Sequence, residues 1–534
     1  MKKLCVVFLL VSISALAQVE QATLTGTVTD QTGALVPDVR LVVKNRETGV
    51  EIATKTNTEG NYRIPYLHPG SYDVSAEAQG FKKARITGVS LTVGLTGTVD
   101  IVMEVGTVQA EVTIVANAVM LEQQSASLGA VIGSAQMLEL PLLGRNPYAL
   151  LQLSPGVLPK GGAGSGPIVS GGRSNTSEIL LDGAETRNST TNDITFTPPL
   201  EAVQEFKIIT NSFSSEYGRS GGGVLTAATR SGTNDFHGSF YEFFRNNVLN
   251  ANSWTSNRQG LKKSPLRRNE FGFAVGGPVL IPKTYNGRDK TFFFFNWEKV
   301  PQRSPDNINS TVPTAAERNG DFSGTLDGSG NVIRVYDPLT TRADPARAGR
   351  YIRDQFAGNR IPAARFDPIA LKIMQYFPLP NRTSRTQNLA LNNSRADDLW
   401  KMFLRVDHTL GTKHRLFFSH GRQAQDQNSP GVNLAFPPEG VNGEQGKIGN
   451  RPKLAVLSDT VTFRPNLLGE FRASISRNIT RTEPRSAGFD FTQLGLPNYL
   501  KAQARQFMFP RIDTGDVTSL GPDRASYFTD AEHA

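Results

Sequence analysis

Two features that many proteins have are nearly missing from this sequence: thiols and long apolar runs. The chain has 534 residues and a single cysteine, Cys5. Cys5 lies in the N-terminal segment that is expected to be removed on export, so the mature chain is expected to have no thiol, no disulfide and no cysteine-based metal site. After residue 17, no apolar run reaches the ~18 residues that a membrane-spanning helix needs. If such a chain is exported, it is either soluble outside the cytoplasm or a β-barrel in an outer membrane.

Catalytic and nucleic-acid-binding signals are also lacking. Lys and Arg outnumber Asp and Glu by 57 to 48, but the basic residues are scattered, so no nucleic-acid partner is expected. The sequence has no His-Glu-x-x-His, no phosphate-binding loop and no nucleophile elbow in a strand–turn–helix context. Its six histidines are dispersed along the chain. We therefore expect no enzyme activity, no cofactor and no metal site.

The N-terminus has the pattern of a secretory signal peptide. A charged start, Lys2-Lys3, precedes the apolar stretch Leu4–Leu16, and Ala15-Leu16-Ala17 fits a small-x-small cleavage site. The apolar stretch is too short for a spanning helix, which disfavours a membrane anchor. The sequence thus predicts a signal peptide over residues 1–17, cleaved after Ala17.

The next segment, residues 20–105, predicts a small β-sandwich. Runs of alternating apolar and polar residues are separated by turn signals such as Asp30–Gly33 and Glu47–Gly49. About seven short strands in this length are typical of a sandwich. The segment resembles the carboxypeptidase regulatory-like domain, a transthyretin-like or carbohydrate-binding-like sandwich that lacks catalytic zinc ligands. The matching residues are Gly26, Asp30, Gly33, Pro37, Thr48-Gly49, Gly60-Asn61-Tyr62, Leu67–Tyr72 and Gly80-Phe81.

Residues 110–232 show a different pattern. They predict a short strand at Glu111–Val115 and a short helix around Pro147–Leu153, with a proline at its start. The apolar Ile179–Leu181 followed by Asp182-Gly183 predicts a strand that ends in a tight turn. The sequence singles out no partner for Asp182, so it supports no catalytic or metal-binding role there.

Three long segments resemble TonB-dependent outer-membrane receptors and transporters of the Oar-like type. The segments are VSGGRSNTSEILLDGAE, PLEAVQEFKIITNSFSSEYGRSGGGVLTAATRSGTNDFHG and NEFGFAVGGPVLIPKTYNGRDKTFFFFNWE. In that family a regulatory-like domain precedes a plug, and the plug lies inside a large barrel. The resemblance implies a plug over residues 110–232 and a barrel over 236–534, with the boundary near Asn234–Phe236. The last plug strands would lie in Glu201–Lys207 and Glu216–Arg230.

The resemblance also implies two sets of site residues. A TonB-contacting strand, which would pair edge to edge with a periplasmic partner, is expected at Glu111, Val112, Thr113, Ile114, Val115 and Ala116. Plug motif residues with a structural role are expected at Gly171, Gly172, Arg173, Asp182, Gly183, Tyr217, Gly218, Gly221 and Gly222. Because a plug sits in a wet lumen, we expect the glycine-rich Glu216–Arg230 to face water. The aromatic segment that follows would face lipid.

Residues 236–534 show the alternation of a membrane barrel, apolar on one face and polar on the other. In one strand the apolar face carries Trp400, Met402, Leu404 and Val406, and the other face carries Lys401, Phe403, Arg405 and Asp407. In another strand the apolar face carries Phe471, Ala473 and Ile475, and the polar face carries Glu470, Arg472 and Ser474. Strands are predicted near 236–245, 269–279, 291–299, 399–408, 414–422, 452–463 and 468–480. Their connections alternate between long and short, and the longest is 300–398, as in barrels with short periplasmic turns and long extracellular loops.

The predicted barrel is incomplete. About seven strands are too few to enclose a plug, since plugged lumens belong to barrels of about 22 strands. The sequence ends SYFTDAEHA rather than on an aromatic-terminated strand. We therefore expect the chain to be the N-terminal part of a longer protein.

The fold class that follows is mostly β: a sandwich, a plug, and the first part of a large antiparallel transmembrane barrel. The resemblance implies a TonB-dependent receptor or transporter in the outer membrane of a Gram-negative-type envelope. Its partners would be a TonB-type energy-transducing complex, outer-membrane lipid and an unidentified extracellular ligand, with a glycan or a peptide as candidates. The alternative is a surface binding or adhesion protein, whose carbohydrate-binding-like front domain engages glycans. Dependence on energy from TonB separates the two hypotheses.

Overall fold

The computed structural model describes a little less than the whole chain. It covers residues 21–106, 111–115, 127–140, 142, 144–158, 167–173, 176–188, 194–215, 217–252, 254–258, 262–428, 447–464, 467–515, 517–522 and 529–533. The predicted signal peptide with Ala17, and Ala116 of the predicted TonB-contacting strand, lie outside these residues. None of the helices in the described ranges is long and apolar enough to cross a membrane.

The N-terminal domain is the predicted β-sandwich. Its strands are β1 (Ala22–Asp30), β2 (Arg40–Asn45), β3 (Glu51–Lys55), β4 (Asn61–Leu67), β5 (Gly70–Glu77), β6 (Lys83–Leu91), β7 (Thr96–Thr98), β8 (Ile101–Met103) and β9 (Glu111–Val115). One sheet has the order β4-β1-β7, with β8 also beside β1, and the other has the order β3-β2-β5-β6-β9. Alternate residues of both sheets point between them, and the core includes the fully buried Leu41, Val43 and Val74.

The plug follows the sandwich. Its elements are β10 (Leu128–Gly133), a helix Ser134–Glu139, a 3₁₀-helix Pro147–Leu153, β11 (Val157–Leu158), β12 (Ile168–Val169), β13 (Glu178–Leu181), β14 (Ala184–Glu185), a 3₁₀-turn Leu200–Ala202, β15 (Val203–Asn211) and β16 (Val224–Thr229). The main sheet has the order β10-β15-β16-β13-β14. The helix predicted around Pro147 is present in 3₁₀ form, and the Asn146 side chain accepts a hydrogen bond from the Tyr148 N–H at its start.

The expectation that Glu216–Arg230 faces water is wrong for its strand. Every residue of β16 is buried, because β16 lies between β15 and β13 in the plug sheet. Directly before β16, Gly223 is small because chains approach closely: a Cβ there would lie 2.6 Å from Val169 Cγ1 and 2.8 Å from the Ile209 carbonyl oxygen. Tight packing therefore explains Gly223, whereas Gly218 and Gly221, earlier in the segment, are exposed as expected.

The barrel segment is one antiparallel sheet. Its strands and the short strands of its connections are β17 (His237–Asn246), β18 (Arg267–Pro278), β19 (Leu280–Ile281), β20 (Tyr285–Asn286), β21 (Thr291–Ser310), β22 (Arg342–Ala343), β23 (Tyr351–Ile352), β24 (Leu389–Leu410), β25 (His414–Asn428), β26 (Lys447–Asn450), β27 (Lys453–Arg464), β28 (Leu467–Glu483) and β29 (Thr529–His533). The strand order is β17-β18-β21-β24-β25. β26 and β27 each pair with β25 on one side and with β28 on the other, and β29 pairs with the opposite edge of β28. The short helices of its connections are Asn247–Leu249, Trp254–Arg258, Ala315–Arg318, Pro338–Thr340, Ala357–Asn359, Ala363–Arg365, Pro368–Met374, Phe491–Leu494 and Tyr499–Gln503.

The predicted strands are all present, but several are longer than predicted. β21 and β24 pair from Thr291↔His408 to Ser310↔Leu389, so the connection predicted over 300–398 spans only 311–388. The added length is rich in Ser, Asp, Asn and Pro and lacks the apolar alternation on which the prediction depended. β29, which pairs with β28, is an additional strand that the sequence did not predict.

The two predicted faces of the barrel strands are confirmed. Phe471 and Ile475 are 61% and 62% exposed on the outer face, whereas Phe403 and Arg405 are buried on the inner face. The inner Phe403 and Phe417 join a core that includes plug residues such as Phe196 and Phe206. The plug therefore packs directly on the inner barrel wall.

Candidate functional site

The sandwich, the plug and the barrel meet at the end of the barrel that has the short turns. Asn234, just before β17, donates from its backbone to the Glu47 carbonyl (3.0 Å) and from its side chain to the Thr48 carbonyl (2.9 Å). The same side chain donates to Asp289, in the short connection before β21 (2.6 Å). Short turns are periplasmic in outer-membrane barrels. We call this region the periplasmic junction.

Asp182 links two plug strands at this junction. The β13–β14 turn places Asp182 and Gly183 at φ 48° and 80°, the left-handed conformation that a two-residue hairpin turn requires. The Asp182 carboxylate accepts hydrogen bonds from the Thr229 backbone N–H (3.0 Å) and hydroxyl (2.7 Å) at the end of β16. The predicted turn is thus present, and its aspartate joins β13 to β16.

Arg405 of β24 connects that aspartate to the barrel. Its Nη1 lies 3.2 Å from an Asp182 oxygen and 3.0 Å from the Thr229 hydroxyl. Its Nη2 donates to Asp407 (2.8 Å), which also accepts from Ser231 of the plug (2.7 Å). The guanidinium lies 4.3 Å from the Phe417 ring centroid. Asp182 and Arg405 are both nearly inaccessible to solvent, so this is a buried ion pair across the plug–barrel interface.

A small cavity lies beside Arg405, between all three domains. Its volume is about 130 Å³, and its lining includes His68 and Tyr72 from the sandwich and Arg405 and Asp407 from the barrel. The His68 Nε2 is buried and has no hydrogen-bond partner among the described residues. Burial and the nearby Arg405 lower the pKa of His68, so the imidazole is neutral at ordinary pH. Burial raises the pKa of Tyr72 to about 12.

A second buried charge cluster ties the plug to the barrel higher on the wall. Arg145 forms ion pairs with Glu201 of the plug and with Glu270 of β18, the latter at 3.2 Å. Glu270 also pairs with Arg268 (2.7 Å). The Arg145 guanidinium lies 4.0 Å from the Phe243 ring centroid. Burial raises the pKa of Glu201, and the charge of Arg145 opposes that rise.

The sandwich contacts the plug directly. The Val93 backbone N–H, just after β6, donates to Glu205 of β15 (2.6 Å), and the Lys207 Nζ donates to the Gly94 carbonyl (2.9 Å). The Gln204 side chain donates to the Pro69 carbonyl (3.2 Å). Burial raises the pKa of Glu205 to about 7, against the effects of the Val93 N–H and Lys207.

The structure brings several of the predicted plug motif residues together. Gly171 adopts φ 73°, and a Cβ on Gly172 would lie 3.3 Å from Gly222 Cα. The Gly221 N–H donates to the Thr176 carbonyl. These glycines precede β13 and β16, whereas Asp182 and Gly183 follow β13 at its other end. Since β13 and β16 are parallel, the glycine cluster lies at the end of the plug away from the periplasmic junction.

The remaining motif residues have simpler surroundings. Tyr217 is buried against Leu180, Ile209 and Val224. Arg173 is exposed at the plug surface, and nothing lies within 4 Å of a Cβ added to Gly218.

The predicted TonB-contacting strand is β9. It adds to the sandwich, where it pairs in parallel with β6 from Lys83↔Glu111 to Thr87↔Val115. Val112 is half-buried, whereas Thr113 and Ile114 are exposed.

Sequence reasoning missed the charged partners. Arg145, Glu201, Glu205 and Glu270 were not singled out, and Arg405 was noted only as an inward-facing residue. The available signal was the position of charged side chains on the inner face of barrel strands, next to a domain expected to fill the lumen. In the described part of the chain, no group of three or more His, Cys, Asp or Glu is placed to hold a metal ion.

Protein-family models match nearly the entire described chain. The model of the carboxypeptidase regulatory-like domain matches residues 23–104, and that of the TonB-dependent receptor plug domain matches 107–224. The model of the outer membrane beta barrel domain matches 228–533, which is more than half of the chain. The chain belongs to the outer-membrane β-barrel family. The order of these domains and a curated relative confirm the resemblance to Oar-like TonB-dependent receptors.

That relative of this outer-membrane chain is the TonB-dependent transporter Oar of Myxococcus xanthus. It is 28% identical over 289 residues, which are 52% of this chain and 26% of that protein. Two solved structures also match: a mutant of the ferric enterobactin receptor PfeA from Pseudomonas aeruginosa, and the outer-membrane transporter YddB from Escherichia coli. PfeA is 12% identical to this chain and YddB 11%, and the TM-score is 0.34 for both. Each match covers 67% of this chain, and it covers 46% of the PfeA chain and 49% of the YddB chain. The chain thus spans about a quarter of the curated relative's length and about half of each structure's.

Proposed function

We propose that the protein is a TonB-dependent transporter that takes up an extracellular ligand through its plugged barrel. The observation that carries this proposal is the attachment of the plug to the inner barrel wall through two buried ion pairs, Asp182–Arg405 and Arg145–Glu270. Separating the partners of a buried ion pair leaves each charge buried without a counter-charge. Positions of the plug in which these pairs are broken are therefore strongly disfavoured. The two ion pairs therefore hold the plug in one resting position. A force from the periplasm must break these ion pairs to move the plug.

The periplasmic side of the proposal rests on β9 and the N-terminus. A signal peptide cleaved after Ala17 would export the chain, and β9 would pair with the TonB-type partner by β-augmentation. The contacts of the sandwich with Glu205, Lys207 and Asn234 support a periplasmic position for β9, because they lie at the short-turn end.

The extracellular side would bind the ligand. The connections over 311–388 and 484–522 pack together around an aromatic cluster that includes Phe377, Phe491 and Phe509. At the plug end away from the periplasmic junction, the glycine cluster includes the exposed Gly171 and Gly221, next to the exposed Arg173 and Arg219, of which Arg219 pairs with Glu185 (2.6 Å). This combination of exposed backbone polar groups and cationic side chains suits a polar or anionic ligand. Both a glycan and a peptide carry such groups.

The test is uptake of labelled probes by cells with and without TonB. Fluorescent oligosaccharides and oligopeptides are offered to cells that express the full-length protein, and to cells that lack it. We expect at least one probe to accumulate inside the cells only when both the protein and TonB are present. A probe that binds the surface equally well without TonB, and never enters, would overturn transport in favour of the adhesion alternative.

A further inference from the structure

We propose that the cavity at the periplasmic junction is a binding site for a small oxyanion that still carries a proton, such as hydrogen phosphate. In this site Arg415 of β25 binds an anionic oxygen of the ligand, and the His68 Nε2 accepts a hydrogen bond from its O–H group. The ligand thereby joins the sandwich to the inner barrel wall. The site is separate from the uptake of an extracellular ligand and does not rest on the proposed function.

Arg415 is a cation without a counter-charge. It lies at the short-turn end of β25, on the same strand face as the buried Phe417, and it lines the cavity. Its Nη2 is buried without a hydrogen-bond partner, and its guanidinium forms no ion pair with any residue that the structure describes. Glu470 lies in the same cross-strand row but two strands away, and it already pairs with Arg472 (2.6 Å). Since a charge removed from water is unfavourable unless it is paired, Arg415 favours an anion in the cavity.

His68 supplies a complementary group from the sandwich. It directly follows β4, and its Nδ1 lies 3.0 Å from the Pro69 carbonyl oxygen. A carbonyl only accepts hydrogen bonds, so Nδ1 carries the proton and the Nε2 of the neutral ring has a lone pair. That Nε2 is buried, and no described residue donates a hydrogen bond to it. Because a buried acceptor without a donor is unfavourable, the ligand must offer an O–H or N–H group here.

The other charges beside the cavity are satisfied or solvated. Arg405 pairs with Asp182 (3.2 Å) and with Asp407 (2.8 Å). Glu47, a second carboxylate of the lining, is exposed to solvent. The charge that still requires a partner is therefore the positive charge of Arg415. The cavity volume of about 130 Å³ is roughly ten times the ~10–15 Å³ that one water requires, so it has room for a tetrahedral oxyanion.

The two unpartnered atoms together define the chemistry of the ligand. The Arg415 Nη2 is a donor and requires an acceptor, whereas the neutral His68 Nε2 is an acceptor and requires a donor. Hydrogen phosphate and bicarbonate offer both groups. Sulfate offers acceptors only, and water offers both groups but does not neutralise the charge of Arg415. The site therefore favours a protonated oxyanion over sulfate and over water.

The experiment measures anion binding to the full-length protein, purified in detergent, by titration calorimetry. Inorganic phosphate and sulfate are compared at matched ionic strength and about pH 8, where His68 is neutral and phosphate keeps one proton. Arg415→Met removes the cation, and His68→Leu removes the acceptor. The matched control is Arg422→Met, which changes an exposed arginine on the opposite face of the same strand.

We expect the natural protein and Arg422→Met to bind one phosphate per chain, with a Kd about tenfold or more below that for sulfate. Arg415→Met should raise the Kd for phosphate by about tenfold or more. His68→Leu should bind phosphate and sulfate about equally, because the atom that selects the protonated ligand is gone.

The natural protein alone can overturn the proposal, even if a variant fails to fold. Absence of phosphate binding would show that the cavity holds water only, and equal affinity for phosphate and sulfate would refute the role of His68. Phosphate binding that Arg415→Met leaves unchanged would overturn the proposal as well, because the anion would then lie elsewhere. These results leave TonB-dependent uptake untouched, since that function is measured separately by accumulation of probes in cells.

Discussion

Asp182 and Arg405 are 223 positions apart in the sequence, yet their side chains are 3.2 Å apart and both are buried. The aspartate terminates a plug strand, and the arginine lies on the inner face of a barrel strand. The Thr229 hydroxyl bonds to both of them. This three-residue contact is the most direct physical connection between the two domains at the periplasmic junction.

Replacing Arg405 should release the plug. Arg405→Met leaves the buried Asp182 and the half-buried Asp407 without their cation, and breaking a buried pair such as Asp182–Arg405 costs about 3–5 kcal/mol. We expect cells that express the variant to become sensitive to vancomycin, which is too large to cross an intact outer membrane. The matched control is Arg303→Met, whose pair with Asp398 is about half exposed and worth roughly 0–1 kcal/mol. Asp182→Asn should partly rescue Arg405→Met. Equal antibiotic resistance of the Arg405 and Arg303 variants would refute the role of the pair.

Arg145 should act in the same way at the second cluster. Arg145→Met removes a cation that pairs with both Glu201 and Glu270 and leaves Glu270 its pair with Arg268. We expect faster cleavage of the plug by an added protease, because Glu201 then loses its buried ion pair and its repulsion from Glu270 is no longer opposed by Arg145. Glu201→Gln in the same chain should slow that cleavage again. If the double variant is cleaved as fast as Arg145→Met alone, repulsion between the carboxylates is not the cause.

The contact between sandwich and plug should weaken as pH rises. The pKa of Glu205 is raised from 4.5 to about 7, so the native state binds its proton more tightly than the unfolded chain does. Its contribution is fully present below about pH 4.5 and is lost as pH rises through about 7, a difference of about 3 kcal/mol. Hydrogen exchange at the Val93 amide, corrected for the intrinsic rate, should show this loss of protection. Glu205→Gln should make the corrected protection independent of pH over this range, and an unchanged pH profile in that variant would contradict the assignment.

The connection between plug and barrel should not tolerate a side chain at Gly232. A Cβ there would lie 2.3 Å from the Phe293 carbonyl oxygen and 2.6 Å from that of Gly277, both backbone atoms. Gly232→Ala should therefore destabilise the folded protein by about 1–3 kcal/mol, as overpacking does. Gly218→Ala is the control, because nothing lies within 4 Å of its added Cβ. Thermal unfolding in detergent compares the two, and equal melting temperatures would show that the Gly232 backbone can move aside.

Much of the fold could be predicted because its signals are local. Alternation along 399–408 marked the lipid and lumen faces, and Asp182-Gly183 marked a hairpin turn, since both depend on neighbouring residues alone. The extended parts of β21 and β24 were missed because outside the membrane both faces of a strand can be polar. The burial of β16 was missed because small residues suit both contact with water and tight packing.

The site was less predictable than the fold for a related reason. Arg405 and Asp182 come together only when the plug is inside the barrel, so no spacing in the sequence relates them. The same holds for Glu205 and Val93, which belong to different domains. A prediction of these contacts would have required the relative positions of three domains, which local patterns do not contain.

The most direct test of TonB-dependent transport is a photo-crosslinking measurement in living cells. A photoreactive amino acid at Ile114, whose side chain is exposed on β9, replaces the natural residue in the full-length protein. The account predicts a covalent adduct with TonB after illumination, and no such adduct from the same probe placed at Ile52 on the opposite edge of that sheet. Equal adducts from both positions, or none from Ile114 in cells that contain TonB, would contradict it.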